Sequence, residues 1–250
     1  MKKRKQPIVA AAQIKYFEGY SKNNLSKIKR YINLAKQKNA DIVCFPESCV
    51  HKTATLHKNH KLIKEIREEC RKHSIWCIIT EDLKIKRKTY NTALLIDRKG
   101  RIHGGYKKIN LYGDEVTPGK KIEVFKTDFA KVGIAICWDL AFPELFKKMK
   151  KAGVEIVFCP AQWWYDTEAH KQKHKEREFK ILESLARTRA YENICFLVLC
   201  NPVMDSKRQI SYSAIISPTR VLAEIRNKEG LITAKLNLNK IKKLQKVYNE

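Results

Sequence analysis

No stretch of this chain approaches the roughly 18 consecutive apolar residues of a membrane-spanning helix, and the basic start Met1-Lys2-Lys3-Arg4-Lys5 leads only into a short apolar run, Ile8 to Ala12. Neither a membrane partner nor a signal peptide is expected, which points to a cytoplasmic protein. No Cys-x-x-Cys pair occurs and the seven histidines do not fall at ligand spacing from cysteines, so no metal and no cofactor is expected. Internal repeats, low-complexity tracts and linker-like stretches are missing too, and residues 1–250 read as one domain. Acidic residues are scarce: 26 Asp and Glu face 52 Lys and Arg, a net charge of +26. Such an excess raises nucleic acid as a partner. Yet the lysines are spread over almost every segment, and there is no RNP-like aromatic motif, zinc-finger spacing or Gly-rich basic tail. The charge therefore reads as a proteome-wide habit, of the kind a lysine-rich or thermophilic organism shows, and no specific nucleic-acid partner is expected.

What is present is a chain with 44% hydrophobic residues and eight cysteines, most inside apolar runs such as Asp41-Ile42-Val43-Cys44-Phe45. These read as buried free thiols in a reducing compartment. Periodicity predicts strands at Ile8–Ile14, Asp41–Phe45 and Ile75–Thr80, alternating with helices at about Asn24–Lys38 and Leu62–Lys72, the rhythm of an α/β protein. Tyr90–Asp97 and Ile102–Tyr106 form a hairpin across Arg98-Lys99-Gly100. Further strands are expected at Val124–Lys126, Lys131–Cys137, Val154–Cys159 and Ile194–Cys200, with a hairpin of Ser211–Ile216 and Val221–Ile225. Helices are expected at Pro143–Lys151, Lys171–Glu192 and, short and basic, Asn239–Glu250.

Three segments carry chemistry, each at the end of an expected strand. Phe45-Pro46-Glu47 puts a carboxylate just past a buried strand, and Tyr106-Lys107-Lys108-Ile109-Asn110-Leu111 puts a lysine after a hairpin. In Ile136-Cys137-Trp138-Asp139 a cysteine ends an apolar strand shortly before a helix with Pro143 at its first position, a placement that favours the thiolate. Taken singly, each has a plainer reading: Glu47 a surface carboxylate, Lys108 one solvated lysine among many, Cys137 a structural thiol, and Asp139 a cap for the helix at Phe142-Pro143.

Together, in this order, the three segments resemble the nitrilase superfamily of carbon–nitrogen hydrolases, across nearly the whole chain. The resemblance implies a four-layer αββα sandwich, usually assembled as a homodimer, with Cys137 as nucleophile, Glu47 as general base, and Lys108 with the Trp138 backbone N–H as oxyanion donors. It also implies a second glutamate between lysine and cysteine; Glu115 is the better candidate, ahead of the Pro118-Gly119 turn, with Asp114 its competitor. Trp138 and Trp163 are the candidate substrate-binding residues. Trp163-Trp164 follow the strand after the cysteine helix, and two adjacent tryptophans cannot both face one core; pocket lining, dimer contact and lid packing remain open. Cys137-Trp138-Asp139-Leu140 resembles the amidase and carbamoylase branch rather than the Trp-Glu-Asn pattern of true nitrilases. The expected activity is hydrolysis of a small linear amide or N-carbamoyl amine with release of ammonia. A larger acyl or carbamoyl donor on the same fold, and a catalytically silent basic nucleic-acid-binding protein, are the alternatives. The chain departs from the family pattern in Arg208-Gln209-Ile210-Ser211-Tyr212, which lacks the usual glycine before Ser213, in Arg220 at a turn that usually holds glycine, and in its short tail, which puts an extended dimer arm in doubt.

Overall fold

The computed structural model describes residues 6–16, 21–51, 54–113, 115–204 and 207–248. The basic leader Met1–Lys5 and Asp114 lie outside them. In chain order the elements are β1 (Ile8–Gln13), α1 (Ser21–Gln37), β2 (Ile42–Cys44), α2 (Lys61–His73), β3 (Trp76–Ile85), β4 (Lys88–Ile96), β5 (Ile102–Lys107), β6 (Val124–Lys126), β7 (Lys131–Ile134), α3 (Pro143–Lys151), β8 (Ile156–Pro160), α4 (Lys175–Glu192), β9 (Phe196–Cys200), β10 (Tyr212–Ser217), β11 (Arg220–Arg226), β12 (Gly230–Lys235) and α5 (Leu238–Tyr248).

The strands form two six-stranded sheets, in the orders β12-β1-β2-β3-β4-β5 and β11-β10-β9-β8-β7-β6. In each, three neighbouring strands are parallel, β1-β2-β3 and β7-β8-β9, and the flanking strands pair antiparallel. Side-chain alternation along a strand shows how the layers stack. In the first sheet Val9, Ala11, Ile42, Cys44, Trp76, Ile78, Ala93 and Leu95 share one core with second-sheet residues such as Ile134, Phe158 and Val198. Their neighbours Ala10, Ala12, Val43, Cys77, Ile79, Leu94 and Ile96 belong to a separate core with Ile28 and Ile32 of α1 and Ile63 and Ile66 of α2. Phe146 of α3 and Leu182 of α4 pack on the second sheet. The result is the αββα sandwich, with apolar faces buried on both sides of each central strand.

Three features differ from expectation. The strand expected to stop at Thr80 continues to Ile85 and turns back through Lys86-Arg87 into β4, with Ile85 opposite Lys88. Its outer half, Glu81 to Lys84, carries too few apolar residues to show a period of two. Strand β12 was not anticipated; it is a half-buried edge strand, antiparallel to β1, and so lacks the strong pattern of a central strand. Finally β7 ends at Ile134, and a 3-10 turn, Cys137–Ala141, precedes α3.

Candidate active site

Strands β2, β5 and β7 end near one another, so Glu47, Lys108 and Cys137, distant in sequence, are brought together. Glu47 is buried just past β2, where its backbone N–H donates to the carbonyl of Ala161, past β8 in the opposite sheet, at 3.3 Å. The Tyr16 hydroxyl donates to the Glu47 carbonyl at 2.8 Å. Lys108 follows β5 directly, is 3% exposed, and its backbone N–H donates to the Asn91 carbonyl at 2.9 Å. Its ammonium donates to Glu47 Oε1 at 3.1 Å. Buried charges are tolerated only when paired in this way.

Asn91, on β4, completes the pair: its Nδ2 donates to the same Glu47 Oε1 at 2.7 Å. The sequence reading missed this residue. The available signal was a buried amide inside a strand, a place where asparagine is disfavoured unless something needs it. Behind the lysine, Gly119 N–H donates to the Lys108 carbonyl at 2.7 Å. A Cβ at Gly119 would stand 2.2 Å from the Lys107 carbonyl oxygen, so only glycine lets the loop close here.

Cys137 opens the 3-10 turn with φ +45°, a left-handed conformation that costs a non-glycine residue about 1–3 kcal/mol unless its surroundings impose it. Asp139 imposes it. This fully buried carboxylate accepts from the backbone N–H of Ile136 at 3.0 Å and the Tyr106 hydroxyl at 2.7 Å through Oδ2, and from the Asn110 backbone and side-chain nitrogens, both at 2.9 Å, through Oδ1. Tyr106 and Asn110 flank Lys108, so Asp139 joins the cysteine turn to the lysine segment instead of capping the helix at Pro143.

The expectation of a thiolate beside a helix N-terminus needs correction. Helix α3 starts at Pro143 as expected, but the 3-10 turn Cys137–Ala141 stands between the sulfur and that N-terminus. Burial pushes the Cys137 thiol well above its ordinary pKa, the Glu47 charge adds to the rise, and Lys108 opposes it. The resting sulfur therefore holds its proton beside a carboxylate able to receive it.

A cavity of about 260 Å³ opens at Cys137. Trp138 lies on its wall in an aromatic group, with ring centroids 5.0 Å from Tyr112, 5.7 Å from Trp163 and 6.2 Å from Phe142. Of the adjacent tryptophans, Trp163 is buried and donates from Nε1 to Glu178 Oε1 at 3.1 Å, whereas Trp164 is exposed at the rim. Glu115 sits exposed on the loop before Gly119 and takes no part in the Glu47–Lys108–Asn91 network. The glutamate that does line the cavity is Glu178 of α4, which helical periodicity alone could not distinguish from its neighbours. Among the described residues no group of three or more His, Cys, Asp or Glu could hold a metal ion, and no helix is long and apolar enough to cross a membrane.

These features stand in a known setting. The family model described as Carbon-nitrogen hydrolase matches residues 8–246, and the chain belongs to that family, within the nitrilase superfamily. It is 30% identical to the probable hydrolase nit2 of Schizosaccharomyces pombe, covering 93% of this chain and 92% of that one. It is 26% identical to the 2-oxoglutaramate amidase of Bacillus subtilis, covering 92% and 90%. Among solved structures it resembles an amidase from Nesterenkonia sp. AN1 whose active-site cysteine carries the acetamide moiety of fluoroacetamide, with TM-score 0.83, 19% identity, and 98% and 97% of the two chains covered. This protein is a carbon–nitrogen hydrolase.

Proposed function

We propose that this hydrolase cleaves the terminal C–N bond of a small linear amide or N-carbamoyl amine, through a thioester on Cys137, and releases ammonia. The observation that carries the reading is the buried Glu47–Lys108 pair beside a protonated Cys137 thiol at the mouth of a small cavity. Glu47 removes the thiol proton as sulfur attacks the carbonyl carbon. Lys108 and the Trp138 backbone N–H hold the developing oxyanion, since tetrahedral charge is costly without donors already in place. Collapse of the intermediate breaks the C–N bond, and Glu47 delivers its proton to the departing nitrogen. A water molecule, deprotonated by Glu47, then attacks the thioester; its hydroxyl completes the acid, and the proton returns to the sulfur.

A cavity of about 260 Å³ favours a small substrate over a large acyl donor. The 2-oxoglutaramate amidase among the relatives supports an amide over a nitrile, as does Asp139 after Trp138, while other relatives carry the nitrilase name. The test is intact-mass analysis of the protein with amide and nitrile pairs of the same carbon skeleton, alongside ammonia release. Acyl adducts confined to the Cys137 peptide, with faster turnover of the amides, are expected. Adducts on another cysteine, or faster nitrile turnover across several skeletons, would refute the proposal.

A further inference from the structure

The cavity at Cys137 has a charge character opposite to that of the molecule around it. Although 52 of the 250 residues are Lys or Arg, none lines the cavity among the described residues. Its ionisable lining besides the thiol and Tyr112 consists of Asp166, Glu178 and His170. Lys108 stands behind the sulfur with its ammonium committed to Glu47.

Both carboxylates are held in place. Asp166 Oδ1 accepts from the backbone N–H groups of Glu168 at 3.0 Å and Ala169 at 2.9 Å, and Oδ2 from the Tyr112 hydroxyl at 3.1 Å. The Ala169 N–H first, then the Tyr112 hydroxyl, keep its pKa below the usual value, so it is ionised at neutral pH. Glu178 accepts from Trp163 Nε1 at 3.1 Å and meets His170 Nε2 at 3.2 Å. The rings of Tyr112, Trp138 and Trp163 line the same cavity, and two of them hold the carboxylates: the Tyr112 hydroxyl donates to Asp166 and Trp163 Nε1 to Glu178. Aromatic rings with carboxylates beside them suit a cation, whereas a carboxylate-bearing substrate finds no Lys or Arg partner on this wall.

Resting on the amidase reading above and narrowing it, we propose that the enzyme selects amides or carbamoyl compounds whose far end carries an ammonium group, seated against Asp166 and Glu178, and discriminates against those ending in a carboxylate. Asp166 and Glu178 are thereby specificity residues, not participants in bond cleavage.

Three amides that differ only in their end group serve as probes: 4-aminobutanamide, pentanamide and glutaramic acid. Two measurements are made with each, kcat/KM from ammonia release and protection of Cys137 from iodoacetamide. The expected order in both is ammonium, methyl, carboxylate, with the charged ends separated by roughly tenfold or more. Asp166→Asn and Glu178→Gln should compress that ratio, while a merely structural effect would depress all three substrates alike. If no probe is hydrolysed, the amidase reading fails, and protection alone still decides the charge preference. Equal or better protection by glutaramic acid, or a ratio unchanged in both variants, would overturn the proposal.

Discussion

At the scale of single residues, access singles out one thiol. Cys137 is 8% exposed and lines the cavity, whereas Cys195 is 2% exposed and Cys44, Cys49, Cys70, Cys77, Cys159 and Cys200 are fully buried. Iodoacetamide should label Cys137 first, and more rapidly as pH rises, because its thiol is held above the ordinary pKa and the thiolate is the nucleophile. Peptide mapping after brief labelling checks this; faster labelling of Cys195 would contradict it. Glu47→Gln and Lys108→Ala should each reduce kcat by about 10²–10³ or more. Lys108→Ala should also destabilise the protein by about 3–5 kcal/mol, since it leaves the Glu47 carboxylate buried without its cation. Turnover must therefore be compared well below each variant's melting temperature.

Glu81 is a second buried carboxyl, outside the proposed chemistry but close behind it. One of its oxygens accepts from the backbone N–H groups of Val50 and His51, in the loop after Glu47, and the other has no hydrogen-bond partner among the described residues. Burial pushes its pKa up to about 8, while the backbone donors oppose the rise. The folded protein thus retains a proton that the unfolded chain, with an ordinary carboxylate, gives up at lower pH. Stability must fall as pH rises from the ordinary carboxylate range to about 8. Glu81→Gln removes the titration, so its urea midpoint should fall less than that of the unaltered protein between about pH 5 and pH 9. Parallel midpoint curves would show that Glu81 is ionised in the fold.

Among the elements, the 3-10 turn Cys137–Ala141 is the one on which the proposed chemistry rests, and the Asp139 carboxylate ties it to the lysine segment. Four donors from three residues, in two segments, converge on that carboxylate. Asp139→Ala would leave them to water or unpaired, at about 1–3 kcal/mol for each group that stays buried without a partner. Released from its clamp, Cys137 should relax from its left-handed φ. The expected outcome is a lower urea midpoint with an unchanged denaturant slope, together with loss of turnover. Full activity in Asp139→Ala would mean that the turn holds its conformation without the carboxylate.

For the molecule as a whole, the site is a joint product of the two sheets: Glu47, Asn91 and Lys108 come from the first, Cys137 and Trp163 from the second. The chemistry thus depends on the packing between sheets as well as on the residues. The net charge of +26 belongs to the same scale. RNA should bind weakly and without sequence preference, with affinity falling steeply as salt rises, because dispersed lysines neutralise phosphates and read no bases. Gel-shift titrations over a salt series check this; sequence-selective binding that persists at about 0.2 M salt would contradict it.

Motif chemistry and strong periodicity are local properties, and they were legible without coordinates. The segments Phe45-Pro46-Glu47, Tyr106 to Leu111 and Ile136 to Asp139 pointed to three residues that the fold brings together, and apolar runs such as Ile194 to Cys200 announced the central strands. What depends on contacts between distant segments was not legible. Strand β12 has only its pairing with β1 to define it, and Asn91 matters only because β4 lies beside β2's end and the Lys108 loop. Asp139 looked like a helix cap until Tyr106 and Asn110 were found on its oxygens. Glu178 is one glutamate among several on α4 until the cavity opens beside it, and Glu115, well placed in the sequence, is left exposed. The protonation of Cys137 has the same origin: a helix start inferred from Pro143 suggested a thiolate, but desolvation depends on everything packed around the sulfur, and only the tertiary structure supplies that.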